Sequence, residues 1–188
     1  MSQPAVKDQK RKLEIGDPAP YFSLKSTDGK TYTIADVHGA KGTVVIFMCN
    51  HCPYVKGALD RIIADMKELK ALGIGSVAIS ANDAANYPED SFENMQKLAA
   101  AKSFPFPYLY DETQNVARAF DAVCTPEFYG FDAGQKLVYH GRLDSAGNKP
   151  LPKNGKRELF EAMKQYAETG KPAPNQQPSI GCSIKWKN

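Results

Sequence analysis

No stretch of the chain is long and apolar enough to cross a membrane, and the N-terminal run from Met1 to Lys12 has no hydrophobic core of the kind a secretory signal carries. These absences predict a cytoplasmic protein with no membrane partner. No charge of one sign dominates: 24 Lys and Arg stand against 21 Asp and Glu, a net charge of +3. The cations are scattered among the acids, which excludes the basic stripe of a nucleic-acid binder. The basic runs at residues 7–12 and 185–187 read as solvated ends. Cysteine is scarce, at four in 188 residues. That is too few to staple a disulfide scaffold, so in a reducing compartment these thiols point to catalysis, metal binding or inert packing. No internal repeat is present. What remains is ordinary globular composition in a chain long enough for one sizeable core.

The apolar run Thr43-Val44-Val45-Ile46-Phe47-Met48 suits a central strand buried on both faces. From Pro53 the period changes to 3.6: Val55, Leu59, Ile62, Met66 and Leu69 share a stripe, and Gly73 closes the helix. Ile74 to Ser80 reads as a second strand, which makes strand, helix and strand a parallel βαβ unit. Upstream, Tyr21 to Leu24 and Lys30 to Ile34 predict an N-terminal hairpin about Thr27-Asp28-Gly29. Downstream, Pro88 opens a helix carrying Phe92, Met95, Leu98 and Ala99, and Tyr108 to Tyr110 is a short strand. Asp111 with Gln114 forms a capping box for a helix carrying Val116, Ala117 and Phe120. Glu127 to Asp132 and Lys136 to His140 form a hairpin, and a last helix with Leu159, Phe160, Met163 and Tyr166 stops at Gly170. Three regions result: a flexible segment over 1–15, an α/β domain over 16–170, and a Pro-containing tail over 171–188 that carries Cys182.

Between the first βαβ strand and its helix lies Cys49-Asn50-His51-Cys52-Pro53. Backbone N–H groups and the positive end of the helix dipole favour a thiolate there, which is a setting for redox chemistry. Proline belongs at the first helical position, where its missing N–H costs nothing, so Pro53 makes Cys52 the N-cap and the expected attacking thiolate. Cys49 is its close disulfide partner. His51 either raises thiolate character or is a solvent-facing loop residue, and Lys56 adds positive charge within one turn. Cys182 lies twelve residues past Gly170, a reach of about 40 Å when extended, so it can arrive at the site of its own chain or a neighbour's. It is either a resolving thiol or incidental to a tail docked by Ile180, Ile184 and Trp186. His38, His140, Glu127 and Asp111 read as structural.

The element order, with Gly16-Asp17-Pro18-Ala19-Pro20-Tyr21-Phe22-Ser23-Leu24 and Cys124-Thr125-Pro126-Glu127-Phe128-Tyr129-Gly130-Phe131-Asp132, resembles the thioredoxin fold. More narrowly it is similar to the alkyl hydroperoxide reductase and thiol-specific antioxidant (peroxiredoxin-like) branch. A subgroup of bacterial thioredoxin-family proteins is more similar still, through Asn50-His51-Cys52-Pro53-Tyr54-Val55-Lys56, Phe106-Pro107-Tyr108-Leu109 with Asp111-Glu112-Thr113-Gln114, and Ser179-Ile180-Gly181-Cys182 with Ile184-Lys185-Trp186-Lys187. The resemblance implies a βαβ plus ββα mixed sheet flanked by helices. It places Cys52 five residues after the strand phenylalanine, on the nucleophile position. It also makes Thr125-Pro126 the cis-proline loop facing the cysteines, with Cys124 beside them as an auxiliary thiol or a small packed residue. Cys49 then stands where peroxiredoxins carry the hydroxyl of their T-x-x-C motif and Val45 where they carry proline. Their active-site arginine has no clear match beyond Arg142.

The first expectation is therefore a thiol-disulfide oxidoreductase in which Cys52 attacks and Cys49 resolves. It needs no cofactor and no metal, acts on protein or small-molecule disulfides or peroxides, and draws electrons from a dithiol donor such as a thioredoxin or glutathione system. A homodimer is compatible with it. A thiol peroxidase, with Cys52 peroxidatic and Cys49 or Cys182 resolving, is the second reading. A copper or zinc module through Cys49 and Cys52, with His51 or Cys182 added, is the third.

Overall fold

The apolar run forms the centre of the molecule because both faces of its strand are covered. In the computed structural model, which describes residues 12–188, the strands are β1 (Ser23–Ser26), β2 (Thr31–Thr33), β3 (Gly42–Phe47), β4 (Ile74–Ser80), β5 (Tyr108–Tyr110), β6 (Cys124–Thr125), β7 (Glu127–Phe131), β8 (Leu137–Gly141) and β9 (Cys182–Ser183). The helices are α1 (Ile34–Val37), α2 (Pro53–Ala71), α3 (Phe92–Ala101), α4 (Asn115–Phe120) and α5 (Glu158–Thr169). Seven strands make one mixed sheet in the order β2-β1-β5-β4-β3-β7-β8, and β6 pairs with β9 in a separate two-stranded ladder. The neighbours β3, β4 and β5 are parallel, and the two flanking hairpins join antiparallel, β1 to β5 and β7 to β3.

Every residue of β3 is buried. With a period of two, Val44 and Ile46, continued by Met48, face one layer and Val45 and Phe47 the other. The first layer holds the α2 stripe Val55, Leu59, Ile62, Met66 and Leu69, with Leu159 and Met163 of α5. Burial of such side chains stabilises by roughly 1.5–3 kcal/mol each, which outweighs any single cap or surface ion pair and fixes α2 against β3. The second layer takes Ile34 and Val37 of α1, Val116, Ala117 and Phe120 of α4, and Ile184 of the tail. The mixed α/β thioredoxin-like architecture is present, with the N-terminal hairpin β1–β2 added at one edge.

Three local expectations are corrected. Pro88 opens only a 3₁₀ turn, Pro88–Asp90; α3 begins at Phe92, where the Ser91 side chain accepts the Asn94 N–H (3.2 Å) and supplies the N-cap. Strand β2 ends at Thr33, and Ile34 starts the one-turn helix α1. No capping box forms at Asp111 and Gln114. The Asp111 carboxylate accepts from Val116 N and Ala117 N (3.4 and 2.8 Å), while the Gln114 side chain turns to Ala81 O and Lys185 O (2.8 and 2.9 Å).

Of the segment expected to be flexible over 1–15, residues 1–11 lie outside the described residues. Leu13 packs on the second layer, and Gly16 N donates to Leu137 O (2.8 Å). After Gly170, which ends α5 with a positive φ of 70°, the tail runs along β8. There Gln176 Oε1 accepts from His140 N (2.9 Å), Gln177 O accepts from Arg142 N (3.0 Å), and Ser179 Oγ donates to Gly141 O (2.6 Å). Among the described residues no helix is long and apolar enough to cross a membrane.

Candidate active site

Strand β3 delivers Cys49 to the sheet's C-terminal end, the loop turns, and Cys52 becomes the N-cap of α2 with Pro53 in the first turn. The rigid ring of Pro53 fixes the helix start without wasting a donor and leaves the Cys52 sulfur at the positive end of α2, where the Val55 amide acts on it. The third wall is the Thr125-Pro126 loop, whose peptide bond is cis. Thr125 Oγ1 lies 3.6 Å from Cys49 Sγ, and Cys52 Sγ lies 3.5 Å from Thr125 O. Antiparallel pairing of β9 with β6 sets Cys182 opposite Thr125. The Cys182 thiol thereby comes close enough to Cys52 to help hold it below the ordinary thiol range.

Three of the four thiols thus meet around one threonine. Cys124 does not join them. It borders a separate cleft with Val123, Glu127, His140 and Ser179, and its thiol is pushed up to about 12, chiefly by burial. All four cysteines are free thiols. Cys52 is held well below the ordinary thiol range, first because the Cys49 thiol donates to it, against the opposing effect of burial; the Cys182 thiol, the Val55 amide and Thr125 add to the lowering. Cys49 is driven up by the same hydrogen bond, seen from the donor side, and further by burial and by the negative charge of Asp90. Cys182 is raised by burial and by its bond to Cys52. The electrostatics therefore separate one thiolate from two proton-bearing partners.

His51 turns away from the sulfurs' common threonine and toward Asp90. Its Nδ1 lies 2.5 Å from Asp90 Oδ2, and its ring stacks on Tyr87 at 5.8 Å between centroids. Asp90, fully buried, also accepts from Asn50 N (2.8 Å), His51 N (3.2 Å) and Asn82 Nδ2 (2.9 Å). Asn50 is fixed from its other end by the Tyr108 hydroxyl, which donates to Oδ1 at 2.8 Å. This carboxylate and tyrosine hold the loop that separates the two cysteines, and sequence reasoning missed both. Asp90 sits in a short turn whose composition gives no hint of its target. Cys49, His51 and Asp90 also bring one donor atom each within 4.8 Å of one another, the spacing a small metal ion requires, although both oxygens of Asp90 already accept protein hydrogen bonds.

Arg142, the geometric candidate for a peroxide-polarising arginine, is committed elsewhere. Its guanidinium makes a two-point contact with Glu158 at 2.8 and 3.1 Å. The partners of Cys52 are Cys49, Cys182, Val55 and Thr125, with no arginine among them. His140 stacks on Tyr129 and faces Glu127, and His38 contacts Thr43, which are structural roles.

Residues 15–140 match the AhpC/TSA family. The fold is similar to the crystal structure of an uncharacterised conserved protein from Geobacillus kaustophilus, with 46% identity over 93% of each chain and a TM-score of 0.83. It is also similar to a hypothetical protein from Sinorhizobium meliloti 1021, with 34% identity over 94% of this chain and 97% of that one and a TM-score of 0.83. A thiol:disulfide interchange protein of the thioredoxin family from Chlorobium tepidum TLS shares the fold at 18% identity, over 84% of this chain and 99% of that one, with a TM-score of 0.61. Among curated proteins, none matches the chain by sequence. With two thirds of its length inside the family match and a thiolate seated at the mouth of α2, the chain belongs to the AhpC/TSA family and is a thiol-dependent oxidoreductase of thioredoxin fold.

Proposed function

We propose that the protein reduces or exchanges disulfides, with Cys52 as nucleophile and Cys49 as resolving thiol. The observation that carries this reading is the position of Cys49: a second sulfur occupies the place beside Cys52 where a peroxidase needs a hydroxyl donor to orient its substrate. The Cys52 thiolate attacks one sulfur of the substrate disulfide, and the other leaves as a thiolate and takes up a proton. Cys49 then gives its proton to the leaving sulfur or to water and attacks Cys52, so the substrate is released as a dithiol and the protein retains a Cys49–Cys52 disulfide. A dithiol donor such as a thioredoxin or glutathione system restores it.

A peroxide substrate would lose its usual polarising donors here, because Arg142 is held by Glu158. The test is a stopped-flow comparison of reduced protein mixed with hydrogen peroxide or with an insulin disulfide. The expected result is turnover of insulin under a dithiol donor, with peroxide consuming Cys52 no faster than free cysteine. Rapid oxidation of Cys52 by peroxide without insulin turnover would make the protein a peroxidase. Stoichiometric zinc or copper, retained through purification under reducing conditions and lost in Cys49→Ser and Cys52→Ser, would make it a metal carrier instead.

A further inference from the structure

The proposed exchange leaves its oxidised state in an awkward place. Cys49 and Cys52 are each only 1% exposed, so a Cys49–Cys52 disulfide is closed to a protein-sized reductant. The third thiol differs: Cys182 is only partly buried, on the two-residue strand β9. It is there by construction. A Cβ on Gly181 would stand 1.9 Å from Thr125 O, so only glycine lets the tail backbone come this close to the cis-proline loop.

The rest of the tail is anchored on both sides of this point. Ile184 is buried in the second layer, and its N–H donates to Val123 O (3.0 Å). Asn82 Oδ1 accepts from Lys185 N (3.0 Å), Lys185 O accepts from Asp83 N (2.8 Å), and Gln114 Oε1 accepts from Lys187 N (3.0 Å). Arg118 covers the Trp186 ring at 5.0 Å. These anchors hold Cys182 in register with Thr125, whose hydroxyl touches Cys49 and whose carbonyl touches Cys52.

We propose that Cys182 is the outlet of the dithiol centre, attacking the Cys49–Cys52 disulfide at the Cys52 sulfur and carrying the oxidised state out to the tail strand. This rests on the disulfide-exchange reading given above. The step is a thiol-disulfide exchange within one chain. The Cys182 sulfur loses its proton and forms a bond to Cys52, the Cys49–Cys52 bond breaks, and Cys49 leaves as a thiolate that takes the proton up. No external oxidant enters beyond the substrate disulfide already consumed. The Cys52–Cys182 disulfide then presents its Cys182 sulfur to the donor, and the second attack by the donor returns both thiols.

Oxidation of the reduced full-length protein with one equivalent of oxidised glutathione, followed by acid quenching and mass-spectrometric mapping, reads the proposal directly. The expected product is a Cys52–Cys182 linked peptide that grows as the Cys49–Cys52 species declines; a Cys49–Cys52 disulfide that persists alone overturns it. In Cys182→Ser the recycling rate with reduced thioredoxin, a bulky dithiol, falls about tenfold relative to the same variant's reduction by dithiothreitol. Equal recycling by thioredoxin in both proteins also overturns it. Trp186 emission reports whether the tail of the variant stays docked, and mapping of the wild-type chain stands whichever way that reads. Failure of the underlying exchange reading is separate: it shows as wild-type insulin turnover in Cys49→Ser.

Discussion

At the scale of single residues, the site works by giving two neighbouring sulfurs opposite proton affinities. One hydrogen bond does most of this, because the proton it fixes on Cys49 is the proton that Cys52 lacks. The sign of the pH dependence follows. A free thiol loses reactivity about tenfold per pH unit below its ordinary value near 8.5, whereas a lowered Cys52 remains a thiolate as pH falls toward its own, lower value. Iodoacetamide modification of Cys52 is therefore expected to be flat between about pH 8 and 6, checked by peptide mapping against free cysteine. In Asp90→Asn the negative charge facing Cys49 is gone, so Cys49 ionises more easily and its modification rate at alkaline pH rises. The N-cap position of Cys52 was legible from Pro53, since proline declares the first helical position. Asp90 was not, because its 39-residue separation from His51 is closed by the fold and not by any local pattern.

At the scale of elements, the decisive pairing is the shortest one. Two residues of β9 pair with two residues of β6 and bring a third thiol opposite Thr125, beside Cys52. Reach along the chain showed that Cys182 could arrive; nothing in the residue pattern gave the register, which depends on the absent Cβ of Gly181 and on Gln114 leaving its expected cap to hold the tail. Gly181→Ala is expected to push β9 off β6. The measurable consequences are a shift in Trp186 emission and faster alkylation of Cys52, whose cover is removed. Ile184→Ala acts on the same segment from its buried end, removing about 2–4 kcal/mol of packing from a tail held otherwise by hydrogen bonds to Asn82 and Gln114 and by the Arg118–Trp186 contact. Hydrogen exchange at Ile184 N and Lys185 N would report it. Protection as in the wild type would show that the hydrogen bonds alone hold the strand.

At the scale of the whole molecule, the sheet matters because its central strand carries the first cysteine on one end and a helix layer on each face. That much could be read from the continuous apolar run and the 3.6-residue stripe of α2, whose five members are all buried. Less legible was what fastens the long segment between β8 and α5. Arg61 on α2 does so, gripping the buried Asp144 at 2.9 and 3.2 Å and the carbonyls of Gly147 and Lys149 at 2.9 and 2.8 Å. Charges of opposite sign eighty-three residues apart in sequence announce no such partnership. Arg61→Ala leaves Asp144 buried without its cation, a loss of about 3 kcal/mol. Calorimetry is expected to show a fall in Tm of roughly 6–12 °C.

The proposed chemistry requires Cys52 to be the sulfur that attacks. Reaction of the reduced Cys49→Ser variant with an insulin disulfide, followed by mass-spectrometric location of the trapped mixed disulfide, measures this most directly. The adduct is expected on Cys52, stable until a dithiol is added; an adduct on Cys124 or Cys182 with Cys52 still free would contradict it.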